Sequence, residues 1–343
     1  MSLGICTGWN SRESTQAAVR VANWCEQSCV DVSLFGFNCS EQTIDAYWDS
    51  KVLREKLFSD WAVEHSTIFW TCMPNPMQVE WCRSRDIRTV VLGLWHTMDV
   101  RDKDILSRVS VVLAPSQIAR HTIQQTFGLS NIVCAPWDVG LPLYSRHMKD
   151  PEVKILFPLW DYLPHRIDVE ASCRLLFRCL FENQGLQVTI AYTSGTLPQY
   201  AKRLVRRLRK QFPDRVKLLS GVVAAARNLL FQKHTLTFYP SCYEATATVP
   251  LQSMAMGAPL IGFRFPPLAE ILTDDNSIVV TTPVSYHNEF TPVCSPLYSE
   301  LESLLLNELR CLDGICLKQR NISTGLSLRR ARFESLLRVL FTS

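Results

Sequence analysis

This chain of 343 residues predicts an α/β protein made of two successive Rossmann-like halves. Three observations lead there. Short apolar, β-branched runs alternate with stretches of helical length, the pattern of parallel strands joined by right-handed crossovers. The series runs once to about residue 145 and starts again after Asp150-Pro151. Hydrophobic residues make up 47% of the chain, enough to fill two cores of about 150 residues each.

The first half opens with Leu3–Gly8, a short strand that stops at a glycine. Ser11 or Ser14 is placed to cap a helix running through Trp24, since a hydroxyl oxygen accepts from the first free amides. Val30–Phe37 is β-branched and aromatic and suits a second strand. Thr67–Cys72 follows and is cut off by Pro-Asn-Pro at Pro74; Val90–Leu94 and Val109–Ala114 come next. The second half begins with Val153–Leu159, a helix over Val169–Glu182, the strand Val188–Tyr192 and a basic helix over Tyr200–Phe212. Val216–Leu219, Thr235–Tyr239, Pro259–Gly262 and Ser277–Thr281 complete the second parallel set. Leu326–Leu340 has the pattern of a long basic amphipathic helix. The expected division is an N-terminal domain over 1–145, a second domain over 146–325 and a terminal helix over 326–343 packing back on the first domain. The two domains are expected to face each other across a cleft.

Composition narrows the function classes. The net charge of +4 permits a polyanionic partner without demanding one. The 13 cysteines are scattered, and the closest pair considered as ligands, Cys25 and Cys29, is too isolated for a metal site. They suit a reduced interior, hence a cytoplasmic protein. The N-terminus lacks a signal-peptide pattern, and no stretch reaches the roughly 18 apolar residues of a membrane span.

The densest signal is Phe238-Tyr-Pro-Ser-Cys-Tyr-Glu244-Ala-Thr-Ala-Thr-Val-Pro-Leu-Gln252-Ser-Met-Ala-Met-Gly-Ala-Pro-Leu-Ile-Gly262. It has the pattern strand, loop, helix, turn, strand, with an acidic side chain at the edge where α/β sheets bind anionic ligands. Glu244 is followed by seven residues and then Gln252. Together with Pro267-Leu-Ala-Glu-Ile271, Ala114-Pro-Ser116 before a helix, and Ile132–Val139, this segment resembles the nucleotide-sugar motif of retaining GT-B glycosyltransferases of the bacterial and viral family-four type. The likeness covers most of the chain and is sharpest between residues 236 and 282.

That resemblance implies transfer of a glycosyl group from a nucleotide-diphosphate sugar to an acceptor hydroxyl, with retention and without a metal or other cofactor. Glu244 would hold donor-sugar hydroxyls, and the amides of Ala245, Thr246 and Ala247 would sit near the diphosphate. Gln252 stands where the family has a second, ribose-binding glutamate; an amide bonds hydroxyls without a charge. His96, just past a strand, would reach the donor sugar, and Gly8 would approach the diphosphate. Val222, in Ser220-Gly-Val-Val223, corresponds to the base-binding turn. The family's arginine and lysine after the first strand of the second domain are missing, and Arg166, His165 or Arg264 are the replacements at hand.

Each residue also has a bland interpretation. Glu244 suits a helix cap, Gln252 a surface amide, His96 a satisfied strand-end histidine and Gly8 a simple turn. The aromatics Trp9, Trp48, Trp61, Trp70, Trp81 and Trp95 suit a core as well as sugar or base stacking. The basic runs Lys202–Lys210 and Arg329, Arg330, Arg332 and Arg338 suit solvated helix faces, phosphate backbones or anionic membranes. They are the sole acceptor clue and leave two acceptors open, an envelope glycan or a hydroxymethylated base in viral DNA; a viral chain would work in the host cytoplasm. The competing functions are an inactive sugar- or nucleotide-binding module and a nucleotide-sugar epimerase of the same fold. Oligomeric state is not legible.

Overall fold

The computed structural model describes residues 2–8, 12–37, 51–53, 57–144, 152–160, 166–193, 197–288 and 291–341. Two compact units emerge, Met1–Gly140 with Arg329–Ser343, and Leu141–Leu328.

The first unit is built on a parallel sheet of seven strands in the order β3-β2-β1-β4-β5-β6-β7. These are β1 (Ser2–Gly8), β2 (Asp31–Phe37), β3 (Val52–Leu53), β4 (Thr67–Trp70), β5 (Arg88–Leu92), β6 (Val111–Ala114) and β7 (Ile132–Cys134). The helices are α1 (Arg12–Gln27), α2 (Phe58–Ala62), α3 (Pro76–Arg83), α4 (Lys103–Arg108) and α5 (Gln117–Phe127). α3 starts at the Pro-Asn-Pro break because Asn75 accepts from the Met77 amide while Gln78 reaches back, and proline fits a helix's first turn. Ser116 caps α5 through the Ala119 amide. Of the two candidate caps of α1, Ser14 lies inside the helix and is buried, and Ser11 is outside the described residues. Trp61, Trp70 and Trp95 are fully buried, so these three are core; Trp9 and Trp48 fall outside the described residues.

The second unit repeats the plan with six parallel strands in the order β10-β9-β8-β11-β12-β13. They are β8 (Lys154–Pro158), β9 (Gln187–Tyr192), β10 (Val216–Ser220), β11 (Leu236–Phe238), β12 (Leu260–Arg264) and β13 (Ile278–Thr281). Its helices are α6 (Val169–Glu182), α7 (Gln199–Gln211), α8 (Ala224–Lys233), α9 (Thr248–Ala255) and α10 (Tyr298–Glu308). An antiparallel hairpin, β14 (Val284–Asn288) with β15 (Thr291–Cys294), and α10 are additions to the expected elements. The last helix, α11, spans Leu312–Phe341 and so starts well before Leu326. Its early part carries Gly314, Gly325 and many polar residues, which blur the apolar stripe that Ile315, Ile322 and Leu326 form.

From Arg329 onward α11 belongs to the first unit, held by aromatic packing and a buried charge cluster. Phe333 stands edge-on to Trp137 at 5.2 Å, and Phe341 packs against Trp24 and Phe69. The Asp138 carboxylate accepts from Arg20 at 3.0 Å and Arg330 at 3.1 Å, and Arg20 also meets Glu334 at 3.0 Å. Gly140 closes this cluster: its φ is +68°, and a Cβ there would lie 2.1 Å from Arg20 Cδ. Arg329 Nε donates to the Trp137 carbonyl at 2.7 Å. Arg329 and Arg330 of the C-terminal basic run are therefore engaged internally. Burial pushes the thiols of Cys25, Cys82, Cys173 and Cys179 up to about 12, so they pack as small apolar groups.

Removing one partner of a buried ion cluster strands the others, at a cost of about 3 kcal/mol or more. Asp138→Ala is therefore expected to lower the urea midpoint of the first unit markedly. Arg332→Ala, a residue outside the cluster, is expected to leave it unchanged. Tryptophan fluorescence during denaturation reads both.

Candidate functional site

In the second unit strand order reverses between β8 and β11, since β9 and β10 lie on one side and β12 and β13 on the other. Loops leaving adjacent strands diverge at such a point and open a crevice at the strands' C-terminal ends. The segment after β11 enters this edge. Tyr239 stays on the ladder through its amide to Ile261 at 2.8 Å. The chain then turns through Pro240 to Ala247 into α9.

Two close contacts set the geometry. Gly262 lies so near β11 that a Cβ would stand 2.5 Å from the Tyr239 carbonyl oxygen, so this glycine permits the close approach of β11 and β12. Ser253 Oγ on α9 lies 2.7 Å from Thr237 Oγ1 on β11 and 2.8 Å from the Ala258 carbonyl, which ties helix, strand and following turn together. Ala247 enters α9 with φ 55° and ψ 34°, a left-handed conformation rare without glycine. The helix has no side-chain cap and no acidic residue in its first turn; the carboxylate nearest in sequence to its N-terminal dipole, of about half a charge, is Glu244. Pro250 costs nothing at the third position, where no partner exists for an amide.

Glu244 is 4% exposed. Its Oε1 accepts from Tyr239 Oη at 2.6 Å and Ser241 Oγ at 3.3 Å, and Arg166 Nη1 lies 4.0 Å away. Arg166 also holds the loop by its backbone: its carbonyl accepts from the Cys242 amide at 2.9 Å, and its guanidinium lies over the Tyr243 ring. Burial pushes the Cys242 thiol up to about 12, and the thiol donates to the Arg166 carbonyl at 3.1 Å. The loop is also braced by a Tyr243–Val293 bridge to the β14–β15 hairpin.

Other sequence-derived residues are placed as follows. Gln252 lies on α9, 9% exposed, and its Oε1 is buried with no hydrogen-bond partner among the described residues. Ala245, Thr246 and Ala247 all lie in the buried turn before α9, with Thr246 and Thr248 hydroxyls 3.0 Å apart. Val222 is buried in the turn after β10, where Gly221 takes φ +73°. Arg264 ends β12 with its guanidinium on Asp274 at 3.0 Å and Thr281 at 2.9 Å. Gly8 is the last residue of β1 and pairs with Phe37 on β2. His96 lies in a one-turn 3-10 helix, Trp95–Thr97, just past β5; its side chain, like His165, lies outside the described residues.

A buried cation not singled out from sequence stands at the same edge. Arg227 on α8 is 6% exposed, with its guanidinium 5.1 Å over the Trp160 ring and Nη2 3.5 Å from Thr193 Oγ1. Trp160 follows β8 and Thr193 follows β9. The signal was one arginine inside the otherwise uncharged run Ala224-Ala-Ala-Arg-Asn-Leu-Leu-Phe231.

The chain holds one Asp-x-Asp triplet, Asp102-Lys-Asp104, a pattern that elsewhere can bind a metal ion. Asp102 Oδ2 accepts from the Asp99 amide at 2.7 Å and serves there as a turn cap. Among the described residues no group of three or more His, Cys, Asp or Glu is placed to hold a metal ion, and no helix is long and apolar enough to cross a membrane.

A scan of protein-family models and a search of curated proteins find no match. Solved structures do match. The lipopolysaccharide outer core galactosyltransferase WaaB aligns over 100% of this chain and 99% of its own, at 15% identity and a TM-score of 0.64. A glycosyltransferase from Rickettsia africae aligns over 98% and 97%, at 8% identity and 0.67. The fold is GT-B. HepE of Anabaena, solved with UDP-glucose, aligns over 100% of both chains at 13% identity and a TM-score of 0.62. At these identities the likeness concerns the fold, and neighbours of this fold bind a UDP-sugar.

A buried acceptor without a partner destabilises a fold by about 1–3 kcal/mol. Gln252→Leu is therefore expected to raise the melting temperature of the ligand-free chain, and a lowered value would show that Oε1 is already satisfied.

Proposed function

We propose that the chain is a glycosyltransferase that moves a hexosyl or pentosyl group from a nucleotide-diphosphate sugar to an acceptor hydroxyl, with retention and without a metal ion. The observation that carries this is the buried Glu244 carboxylate at the switch point of the second sheet, 4.0 Å from Arg166, on the loop that leads into the uncapped start of α9. A carboxylate held by Tyr239 and Ser241 is fixed in position to accept from sugar hydroxyls, and such charge-assisted bonds are about twice as strong as neutral ones. In the reaction the bond from the anomeric carbon to the diphosphate oxygen breaks with its electron pair left on the diphosphate, a bond to the acceptor oxygen forms, and the acceptor's proton passes to the departing diphosphate oxygen. Negative charge then grows on the diphosphate. The α9 dipole and the amides of Ala245, Thr246 and Ala247 are the groups we assign to that charge, with Arg166 and the buried Arg227 as its cations.

Gln252 is assigned to ribose hydroxyls, which would give its buried oxygen a partner. Val222 is assigned to the base. Of the first unit's residues, Gly8 and His96 keep the roles the resemblance implies. Arg264, bound to Asp274 and Thr281, ranks behind Arg166 and Arg227 as a diphosphate ligand. UDP-glucose, with which HepE was solved, is the first donor to test. The acceptor belongs to one of two classes, an envelope glycan or a hydroxymethylated base in DNA. Gln252 in place of a carboxylate also favours a second reading, a binding module without turnover.

A thermal-shift screen against nucleotide sugars tests the donor. A ligand at one hundred times its dissociation constant stabilises the fold by about 2.7 kcal/mol, so the melting point should rise by several degrees. Glu244→Ala should abolish the rise while leaving a folded protein. No response to any nucleotide sugar would sink the proposal, and binding without transfer would favour the inactive module.

A further inference from the structure

On the second unit α6, α7 and α10 line an open surface cavity of about 560 Å³. Cys173, Phe177, Leu204 and Leu208 give it an apolar lining. Arg174, Arg178 and Arg207 stand around it, with Gln211 and two carboxylates, Glu170 and Glu302. The carboxylates are weakly used: Glu170 lies 3.9 Å from Arg174 and Glu302 lies 3.6 Å from Arg178, and both arginines are more than half exposed.

The cavity opens beside a strongly basic helix face. α7 reads Gln-Tyr-Ala-Lys-Arg-Leu-Val-Arg-Arg-Leu-Arg-Lys-Gln and contains no acidic residue. Ala201, Val205 and Leu208 are buried and anchor it, so Arg203, Arg206, Arg207, Arg209 and Lys210 stay exposed. None of these five forms an ion pair among the described residues. An aromatic stack continues the cavity outward. Phe181 is 65% exposed and stacked on Phe177, and Phe177 packs on Phe212, the residue that ends α7. Tyr200, at the other end of the helix, is also exposed.

A polybasic face alone would suit any polyanion. A cationic rim around a hydrocarbon-lined cavity, with an exposed phenylalanine beside it, suits an anion that carries hydrocarbon. We propose that this face docks the chain on a bilayer surface containing anionic phospholipid. Phosphate groups lie against Arg174, Arg178 and Arg207, acyl segments against Phe177, Leu204 and Leu208, and the outer arginines of α7 meet the negative surface potential. The chain is then peripheral, held by charge and a shallow apolar contact.

Co-sedimentation of the full chain with vesicles tests this. Vesicles of phosphatidylcholine alone are compared with vesicles containing roughly one-third phosphatidylglycerol, at low salt and at about 0.5 M salt, where the Debye length is only a few ångströms. The chain is expected to sediment with the anionic vesicles alone and to be released by salt. Arg206→Gln with Arg207→Gln is expected to weaken partition about tenfold or more, because each cation near the surface contributes a severalfold factor. Phe181→Ser is expected to weaken it further at intermediate salt, and donor binding by these variants should be unchanged. Melting curves by circular dichroism confirm that the exposed substitutions leave the fold intact. Equal partition onto neutral vesicles, no partition at all, or partition insensitive to these variants overturns the proposal, as does retardation of duplex DNA through the same arginines without vesicle binding.

Discussion

The reversal of strand order between β8 and β11 is the constraint on which the candidate site depends. Right-handed crossovers send the first connections to one side of β8 and the later ones to the other. Loops from distant parts of the chain therefore end at one edge. Trp160 arrives from β8, Thr193 from β9, and the Tyr239–Ala247 loop from β11. Arg166, close in sequence to β8, meets Glu244, which follows β11. The Ser253–Thr237 contact and the glycine at position 262 then fix where α9 begins relative to the strands.

Burying a carboxylate costs several kcal/mol unless it is paired and hydrogen-bonded. Glu244 offsets that cost through Tyr239, Ser241 and Arg166. Around it the chain retains features that a purely structural role does not require. α9 begins without a cap or a first-turn acid, Ala247 holds a left-handed backbone, and Gln252 keeps a buried oxygen without a partner among the described residues. Backbone strain and unsatisfied groups concentrate where a ligand completes the structure.

Much of this was legible in the sequence. Parallel strands are buried on both faces and appear as short continuous apolar runs, so β1, β8 and β12 could be placed from composition alone. The Pro-Ser turn, Glu244 and Gly257-Ala-Pro marked the loop and helix. Elements that lack such a pattern were not seen. β3 has two residues, and the β14–β15 hairpin includes Ser285, Tyr286 and His287, which are exposed. The start of α11 is interrupted by glycines. At the site, Glu244 could be named because the motif around it is long. Arg227 could not, because a lone arginine in a helix is ordinarily solvated, and only the packing against Trp160 shows it buried. The same blindness applied to Arg264 and Arg330, whose acidic partners lie ten and 192 positions away.

The central claim is that Glu244 receives the sugar of a nucleotide-sugar donor in the second unit. A crystal structure of the chain with UDP-glucose tests it most directly. The account predicts sugar hydroxyls at about 2.6–3.0 Å from the Glu244 carboxylate, with the diphosphate at the start of α9. An ordered nucleotide sugar bound elsewhere, with the Glu244–Tyr239–Ser241 cluster untouched, would contradict it.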